Sequence, residues 1–273
     1  MPEFICETCG TQHSASERPP RRCAICEDER QYVGWEGQRW TTPERLRAAH
    51  RAEIRAEETG LTGIGVEPRF AIGQRALLVQ APGGNVLWDC VSLLDDEIVA
   101  EVGRRGGLAA IAISHPHYYS SMVDWAHAFN APIHLHAADR EWVMRPDPSV
   151  EVWDGDAREL APGLTLLRLG GHFAGGTVLH WAAGTDGAGA LLSGDIVQVV
   201  QDRRWVSFMR SYPNLIPLPA ARVERIVAAL EPYPFERLYG AWFGRVVADD
   251  AKAAVARSAE RYLAALGASR GSS

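Results

Sequence analysis

The sequence predicts an α/β protein with two β-sheets and helices on their outer sides, preceded by a small cysteine-rich segment. From residue 61 onward, apolar runs of strand length first follow one another across short turns, then alternate with helical patterns, and then follow one another again. This order of elements fits two packed sheets covered by helices. Four of the five cysteines fall within the first 26 residues, which sets the N-terminus apart from the rest.

Size and charge exclude several classes of protein. A chain of 273 residues that is 47% hydrophobic and 23% charged can bury a large core without disulfides. Its formal net charge of −6 argues against nucleic acid or an anionic membrane as a partner. No apolar run approaches the ~18 residues of a membrane helix, and residues 1–10 lack the features of a signal peptide. We therefore expect a cytoplasmic protein that acts on a small molecule, with a homo-oligomer left open.

The N-terminal cysteines predict a metal site. Two Cys-x-x-Cys pairs lie thirteen residues apart: Cys6 and Cys9, then Cys23 and Cys26. Each pair can aim two thiolates at one point, and two pairs complete a tetrahedral four-sulfur shell that suits Zn²⁺. A closed shell leaves no open position, so zinc here would stabilise the segment rather than perform chemistry. We predict a structural zinc ribbon over residues 1–35, with a redox dithiol pair or an iron centre as alternatives.

A connector helix is predicted within residues 36–60. Thr42 can cap a helix, Pro43 suits a first helical turn, and Gly60 can end the helix. Apolar residues at helical spacing alternate there with Arg and Glu, which is typical of an amphipathic helix.

The main domain is predicted over residues 61–266, and the Gly- and Ser-rich tail at 267–273 is expected to be disordered. Strands are predicted at 70–72, 76–79, 85–90, 108–113, 132–135, 164–169, 177–182, 191–192 and 236–239. Helices are predicted at 93–102, 121–129, 138–144, 219–230 and 249–266.

Histidines and one acid follow the ends of three apolar strands. His115 and His117 follow the run at 111–113, and residues two apart in an extended segment point the same way. His172 follows another strand among four glycines, which permit tight turns and close backbone approach. Asp195 follows a third strand. Three neutral imidazoles and one carboxylate are a suitable ligand set for Zn²⁺ or Fe²⁺.

The joint order of these motifs resembles the metallo-β-lactamase superfamily over roughly residues 66–245. The four motifs are Asn85-Val86-Leu87-Trp88-Asp89, His115-x-His117, Gly171-His172 and Ser193-Gly194-Asp195. The resemblance implies an αββα sandwich with metal at the loop edge between the sheets. It implies that His115, His117 and His172 form the first metal site. By the same resemblance, Asp195 is the acid that bridges two metals where both are present, and Asp89 matches a carboxylate that orients ligands.

The chain departs from the family pattern H-x-H-x-D-H. Tyr119 and Ser120 occupy its last two positions, and a further family histidine falls near Gly240-Ala241-Trp242. A second metal site would keep only Asp195, so we expect one metal ion. Asp195 is then a candidate base, and Tyr119 a candidate hydrogen-bond donor to an oxyanion. Packing of Tyr119, or its ligation of a second ion as phenolate, are the alternatives.

The segment 201–217 mixes aromatic side chains with arginines. In the family that the chain resembles, the segment after the Asp195 motif can wall the substrate cleft, and simple packing is the alternative. The candidate wall residues are Tyr118, Trp205, Phe208, Arg210, Tyr212 and Trp242. An aromatic wall with arginines would suit an anionic or carboxylate-bearing substrate.

These patterns together predict a metal-dependent hydrolase with one zinc or iron ion in the main site. Its expected substrate is a small ester, thioester, lactone or related compound. The resemblance leaves two alternatives, a mononuclear non-haem iron oxygenase of the persulfide dioxygenase type and a catalytically degenerate binding protein. Zinc with hydrolysis, iron with oxygen consumption, and an absence of metal outside the ribbon would distinguish the three.

Overall fold

The chain divides into two compact units in the computed structural model, which describes residues 1–267. One unit spans Met1–Asp154 and the other begins at Gly155. Of the tail predicted to be disordered, residues 268–273 lie outside the described residues. None of the helices within residues 1–267 combines the length and hydropathy that crossing a bilayer requires.

The first unit contains the cysteine-rich N-terminus and a seven-stranded sheet. Its strands are β1 (Ile5–Cys6), β2 (Trp40–Thr41), β3 (Arg51–Glu58), β4 (Leu61–Glu67), β5 (Ala76–Val79), β6 (Val86–Trp88), β7 (Ala110–Ala112), β8 (Ile133–His136) and β9 (Val150–Trp153). Its helices are α1 (Ala24–Glu27), α2 (Pro43–Ala49), α3 (Asp96–Arg104) and α4 (Met122–Phe129), with 3₁₀ turns at Pro116–Tyr118 and Ala137–Trp142. β1 pairs with β2, and the large sheet has the order β3-β4-β5-β6-β7-β8-β9.

The parallel half of this sheet positions two polar residues. β3 to β6 pair antiparallel, whereas β6, β7, β8 and β9 are parallel to one another. Asp89 directly follows β6, and His115 lies three residues beyond the end of β7. Because neighbouring parallel strands end at the same edge of a sheet, both residues lie at the carboxyl edge, where α/β sheets commonly place their sites.

The second unit contains a six-stranded sheet and two long helices. Its strands are β10 (Ala157–Ala161), β11 (Leu164–Arg168), β12 (Thr177–Trp181), β13 (Ala190–Gly194), β14 (Gln198–Val199), β15 (Val206–Ser207), β16 (Met209–Ser211), β17 (Ile216–Pro217), β18 (Arg237–Gly240) and β19 (Val246–Val247). Its helices are α5 (Ala220–Leu230) and α6 (Ala251–Ala265), with a 3₁₀ turn at Thr185–Gly187. The large sheet has the order β10-β11-β12-β13-β18-β19, and β14-β15 and β16-β17 form separate pairs.

The core of the second unit joins its sheet to its helices. The buried residues of α5, Val223, Ile226 and Leu230, recur at helical spacings of three and four. They belong to one apolar cluster with Leu191 of β13 and Leu238 of β18. Burying each such side chain stabilises the fold by ~1.5–3 kcal/mol relative to leaving it exposed.

The predicted connector helix within residues 36–60 is wrong beyond Ala49. Its start is as predicted, because the Thr42 side chain accepts a hydrogen bond from Arg45 N at 3.4 Å. The chain after Ala49 becomes β3, which pairs along its length with β4. Gly60, predicted to end a helix, instead has φ +78° in the tight turn between β3 and β4. Pairing with a neighbouring strand overrides the helix propensity of the Arg, Ala and Glu residues in this segment.

Smaller differences arise in the loops and at the sheet edges. The predicted strand at 70–72 is a turn, in which Gly73 N donates to Phe70 O at 2.9 Å. The predicted helix at 138–144 is a 3₁₀ turn over Ala137–Trp142. The prediction did not include β9 and β10, whose residues are mostly exposed or half-buried and show little apolar alternation.

Candidate metal centre

Four cysteine sulfurs come together in the first unit. All four Sγ atoms, of Cys6, Cys9, Cys23 and Cys26, lie within 4.8 Å of one another. Cys6 and Cys26 approach to 3.6 Å, as do Cys9 and Cys23, and all four are free thiols. Thiolates bound ~2.3 Å from a tetrahedral zinc ion would lie ~3.8 Å apart. The sulfur separations therefore fit a four-sulfur zinc shell.

Local hydrogen bonds shape this cluster. Gly10 N donates to Cys6 O at 2.8 Å, and Gly10 has φ +84°, which turns the chain back after the first cysteine pair. Gln38 Nε2 donates to Cys6 Sγ at 3.1 Å, a contact that favours the thiolate. Hydrogen bonding from Cys26 holds the pKa of the Cys23 thiol below its ordinary value. Hydrogen bonding from Cys23 raises the pKa of the Cys9 and Cys26 thiols, so negative charge in the metal-free cluster is concentrated on Cys6 and Cys23.

Asp89, Ser114 and His115 form a hydrogen-bonded chain at the carboxyl edge of the seven-stranded sheet. Asp89 Oδ1 accepts from Ser114 N at 2.8 Å and from Ser114 Oγ at 2.7 Å. Ser114 Oγ lies 2.9 Å from His115 Nδ1. Because the single hydroxyl proton is donated to the carboxylate, Ser114 Oγ can only accept from Nδ1–H. Nε2 is therefore the unprotonated ring nitrogen of His115, the form in which imidazole binds a metal ion.

His117 lies in the 3₁₀ turn Pro116–Tyr118 rather than in a continuous extended segment. His115 precedes the turn with extended backbone, and the centroids of the two imidazoles are 5.0 Å apart. Tyr118 packs edge-on against His115 with a centroid separation of 4.5 Å, and all three side chains are buried. The two histidines thus come close through the turn and not through strand alternation.

Tyr119 and Ser120 make hydrogen bonds within the loops of the first unit. Tyr119 Oη donates to Asp139 O at 3.2 Å, and burial raises the pKa of the phenol well above its ordinary value. Because the phenol donates a hydrogen bond to the backbone carbonyl of Asp139, its geometry argues against phenolate ligation. Ser120 Oγ donates to Cys90 O at 3.1 Å and accepts from Gln74 Nε2 at 2.9 Å.

His172 is oriented by a glycine turn in the second unit. Gly171 has φ +85°, and a Cβ there would lie 2.9 Å from Leu218 Cδ1 and 3.2 Å from Ile226 Cδ1. Only glycine fits without displacing these core side chains. His172 Nδ1 lies 3.1 Å from Met209 O, and since a carbonyl only accepts, Nδ1 donates. Nε2 is therefore the unprotonated ring nitrogen of His172, the form in which imidazole binds a metal.

Asp195 follows β13 in a tight turn. Gly194 before it has φ +56°, and Ile196 N donates to Ser193 O at 3.1 Å across the turn. The carboxylate is buried with 6% of the residue exposed. A glycine at position 194 lets the chain turn sharply as it leaves the buried strand.

One ligand atom from each of His115, His117, His172 and Asp195 lies within 4.8 Å of the other three, and all four residues are buried. Among residues 1–267, this set and the four cysteines are the groups of three or more His, Cys, Asp or Glu whose ligand atoms are this close. The three histidines and Asp195 are the four side chains that the sequence predicted as ligands, and their role as metal ligands stays a prediction. Sequence reasoning missed Ser114, although a serine directly before a His-x-His pair is a usable signal for a hydrogen bond that orients the ring.

The metallo-β-lactamase pattern has a further histidine near Gly240-Ala241-Trp242 of this chain. That segment begins beside Gly194. Gly240 ends β18 and is the parallel register partner of Gly194. A Cβ at Gly240 would lie 3.2 Å from Arg245 O and 3.4 Å from Val199 Cγ2. A larger side chain at position 240 would therefore displace these neighbouring atoms.

The candidate wall residues lie in three environments: the core of the second unit, the surface of α6, and the neighbourhood of His172. Phe208 is fully buried in the core of the second unit and packs on Tyr262, so its prediction as a wall residue is wrong. Trp205 stacks under the guanidinium of Arg261 at 3.7 Å, which is packing on α6. The ring of Tyr212 lies 5.7 Å from that of His172. The burial of Tyr212, and then the nearby Asp195 carboxylate, raise the pKa of its phenol well above the ordinary value.

Two further candidates, Arg210 and Trp242, are half-buried. Their predicted role in binding substrate stays a prediction.

Comparison with known proteins identifies both a relative and the fold. No protein-family model matches the sequence. The chain is 53% identical over 268 residues to the uncharacterized protein YmaE of Bacillus subtilis (strain 168), covering 97% of each chain. Similar solved structures include DIM-1 metallo-β-lactamase, with a TM-score of 0.60 and 14% identity over 79% of this chain and 98% of that one.

Two further solved metallo-β-lactamases agree. FIM-1 from Pseudomonas aeruginosa, in its mono-zinc form, has a TM-score of 0.57 and 13% identity over 77% of this chain and 95% of that one. The Cronobacter sakazakii enzyme with a HARLDQ motif has a TM-score of 0.52 and 18% identity over 82% and 96%. The predicted α/β class and metallo-β-lactamase resemblance are thus confirmed at the level of the fold. The chain belongs to the family of the uncharacterized protein YmaE and has the metallo-β-lactamase fold.

Proposed function

We propose that the chain is a hydrolase that uses one metal ion in the main site to cleave a small ester, thioester, lactone or related bond. The supporting observation is the group of three imidazoles and one carboxylate whose ligand atoms lie within 4.8 Å of one another. Such a donor set suits Zn²⁺ or Fe²⁺. A metallo-β-lactamase of the same fold has been solved in a mono-zinc form, which supports a single ion in this fold.

The chain's own residues supply distinct functions at this site. His115, His117 and His172 would hold the ion through imidazole nitrogens, and Asp195 through a carboxylate oxygen. The bound ion supplies Lewis acidity toward a carbonyl oxygen and a nucleophile from water at neutral pH. Asp195 has a second carboxylate oxygen, which can accept a proton from the attacking water as general base. Asp89 acts through Ser114 to keep His115 in the tautomer that presents Nε2.

Metal stoichiometry tests this proposal directly. The full chain, purified without added metal, should contain two metal equivalents, one in the cysteine cluster and one in the main site. The His115→Ala/His117→Ala variant should contain one. His127→Ala is the matched control, because His127 is mostly exposed and its ring pairs with Asp147 at 3.0 Å outside the ligand group. It should retain both equivalents.

The outcomes distinguish the three functions predicted from the sequence. Two zinc equivalents, with hydrolysis of an ester, thioester or lactone panel that the double variant loses, would support the proposal. One zinc and one iron with oxygen uptake would favour the oxygenase instead. Metal in the cysteine cluster alone would favour a binding protein, and two equivalents in the double variant would show that the assigned ligands are wrong.

A further inference from the structure

We propose that the N-terminal ribbon positions the metal-binding histidines, so that its contacts set the metal affinity of the main site. The proposal rests on the proposed function, because it takes His115, His117, His172 and Asp195 as the metal ligands. It assigns the positioning role to Gln12 and Ser92.

The ribbon turn, residues 10–12 after the first cysteine pair, contacts two loops of the first unit. These are the Asp89 loop, residues 89–92, and the histidine loop, residues 115–121. Ser92 Oγ donates to Gly10 O at 2.7 Å. Gln12 N donates to Ser120 O at 3.0 Å, and Gln12 Nε2 donates to Asp124 Oδ2 at 2.8 Å. Gly10 directly follows the ligand Cys9, so these contacts begin at the cysteine cluster itself.

The contacted loops are the ones that lead to the metal-site residues. Ser92 lies three residues after Asp89, and Ser120 lies three residues after His117. The loops are also joined to each other, since Ser121 Oγ donates to Ser92 O at 2.9 Å. The ribbon turn, the Asp89 loop and the histidine loop therefore form one hydrogen-bonded assembly.

This assembly is buried and closely packed. Gln12, Ser92 and Ser120 are each exposed by 6% or less. A Cβ at Gly10 would lie 2.6 Å from Ser92 Oγ, and Gly10 has φ +84°, so the contact depends on glycine. A hydrogen bond shielded from water is stronger than one at the surface. Leaving a buried polar group without its partner also costs more free energy than leaving an exposed one. The ribbon is thus docked through specific polar contacts.

The histidine loop needs such support because of its backbone conformation. Ser120 has φ +45°, a left-handed conformation that a residue with a side chain adopts at some cost. The backbone amide of Gln12 donates to the carbonyl of Ser120 at 3.0 Å, and Gln74 Nε2 donates to its hydroxyl at 2.9 Å. Release of the ribbon would remove the first of these and let the loop after His117 relax. The direct consequence is a weaker metal site.

The Gln12→Ala/Ser92→Ala variant of the full chain tests the proposal. It removes the side-chain hydrogen bonds Gln12 Nε2–Asp124 Oδ2 and Ser92 Oγ–Gly10 O, which hold the ribbon turn, and with it the backbone amide of residue 12, against Ser120 O. With zinc kept in the ribbon, main-site affinity is measured by chelator competition, and Co²⁺ in the main site is read through its visible d–d bands. We expect affinity to fall about 10-fold, at the low end of the ~10–100-fold effect of outer-shell partners. The cobalt bands should shift while one zinc equivalent stays in the ribbon.

Ser14→Ala is the matched control. Ser14 Oγ also joins the ribbon to the rest of the first unit, through Met144 O at 3.3 Å, but at a distance in sequence from both ligand loops. It should leave main-site affinity and cobalt bands unchanged. If the double variant does not fold, Gln12→Ala alone decides, with the same expected direction.

Two results would overturn the proposal in distinguishable ways. Unchanged affinity and unchanged cobalt bands, even with a lower melting temperature, would show that the ribbon contact only stabilises the fold and would leave the proposed function standing. A wild-type chain that binds no metal outside the ribbon would overturn the proposed function, and this proposal with it.

Discussion

Replacing Ser114 by alanine should weaken metal binding at the main site without emptying the ribbon. Ser114 Oγ connects the Asp89 carboxylate, 2.7 Å away, to His115 Nδ1, 2.9 Å away. Alanine removes both hydrogen bonds and leaves the imidazole free to rotate and to change tautomer. The backbone should hold its course, because Asp89 still accepts from the amide of residue 114 at 2.8 Å.

The magnitude follows from the two lost contacts. A hydrogen bond to a charged group contributes ~1.5–3 kcal/mol and a neutral one ~0.5–1.5 kcal/mol, so the free energy of unfolding of the metal-free chain should fall by about 2–4.5 kcal/mol. Loss of a partner that orients a ligand typically weakens metal binding ~10–100-fold, which corresponds to ~1.4–2.8 kcal/mol.

Two measurements separate these effects. Urea unfolding of the metal-free chain reports stability, and chelator competition reports the dissociation constant of the main-site metal. Ser258→Ala is the matched control, since Ser258 is equally buried and its Oγ accepts from Val206 N at 3.0 Å in the second unit. The control should lose stability and keep its affinity. A Ser114→Ala variant that binds main-site metal as tightly as the wild type would refute the reasoning.

Two other substitutions should have defined effects. Gly171→Ala should lower the free energy of unfolding by about 2–5 kcal/mol. Of this, ~1–2 kcal/mol comes from the left-handed backbone and ~1–3 kcal/mol from overpacking against Leu218. A loss below ~1 kcal/mol in urea unfolding would contradict this. Burial lowers the pKa of His180, so its folded state favours the neutral ring that donates to Pro234 O at 2.7 Å. This contribution to stability is present above the unfolded pKa of ~6.5 and is lost as the pH falls below it. His180→Gln should therefore lose less stability between pH ~7 and ~5 than the wild type, and equal slopes in paired urea titrations would argue against the assignment.

Local patterns in the sequence were sufficient to single out two groups of side chains whose ligand atoms lie within 4.8 Å of one another. The Cys-x-x-Cys pairs and the His-x-His pair are short motifs whose spacing already limits where their side chains can converge. The N-cap of α2 at Thr42 was predictable for the same reason, because its hydrogen bond to the amide of residue 45 is local. The order of strand-end motifs also indicated the fold, which the solved metallo-β-lactamases confirm.

Other features depended on contacts between distant parts of the chain. Phe208 looked like a wall residue among arginines, but the packing of α6 encloses it in the core. β3 looked helical, and only its pairing with β4 makes it a strand. In both cases the local preference is worth less than the burial or the strand pairing that the tertiary structure provides.

The sequence by itself predicted which side chains are candidate metal ligands: four thiolates near the N-terminus, and three imidazoles with one carboxylate after strand ends. Only the tertiary structure decided how those ligands are held. The tautomer of His115 depends on Ser114 and Asp89, and the carbonyl of Ser120 in the histidine loop accepts from the backbone amide of Gln12, more than 100 residues earlier in the chain. The physical reason is that ligand chemistry belongs to single side chains, whereas orientation comes from hydrogen bonds and packing that form only when distant segments meet.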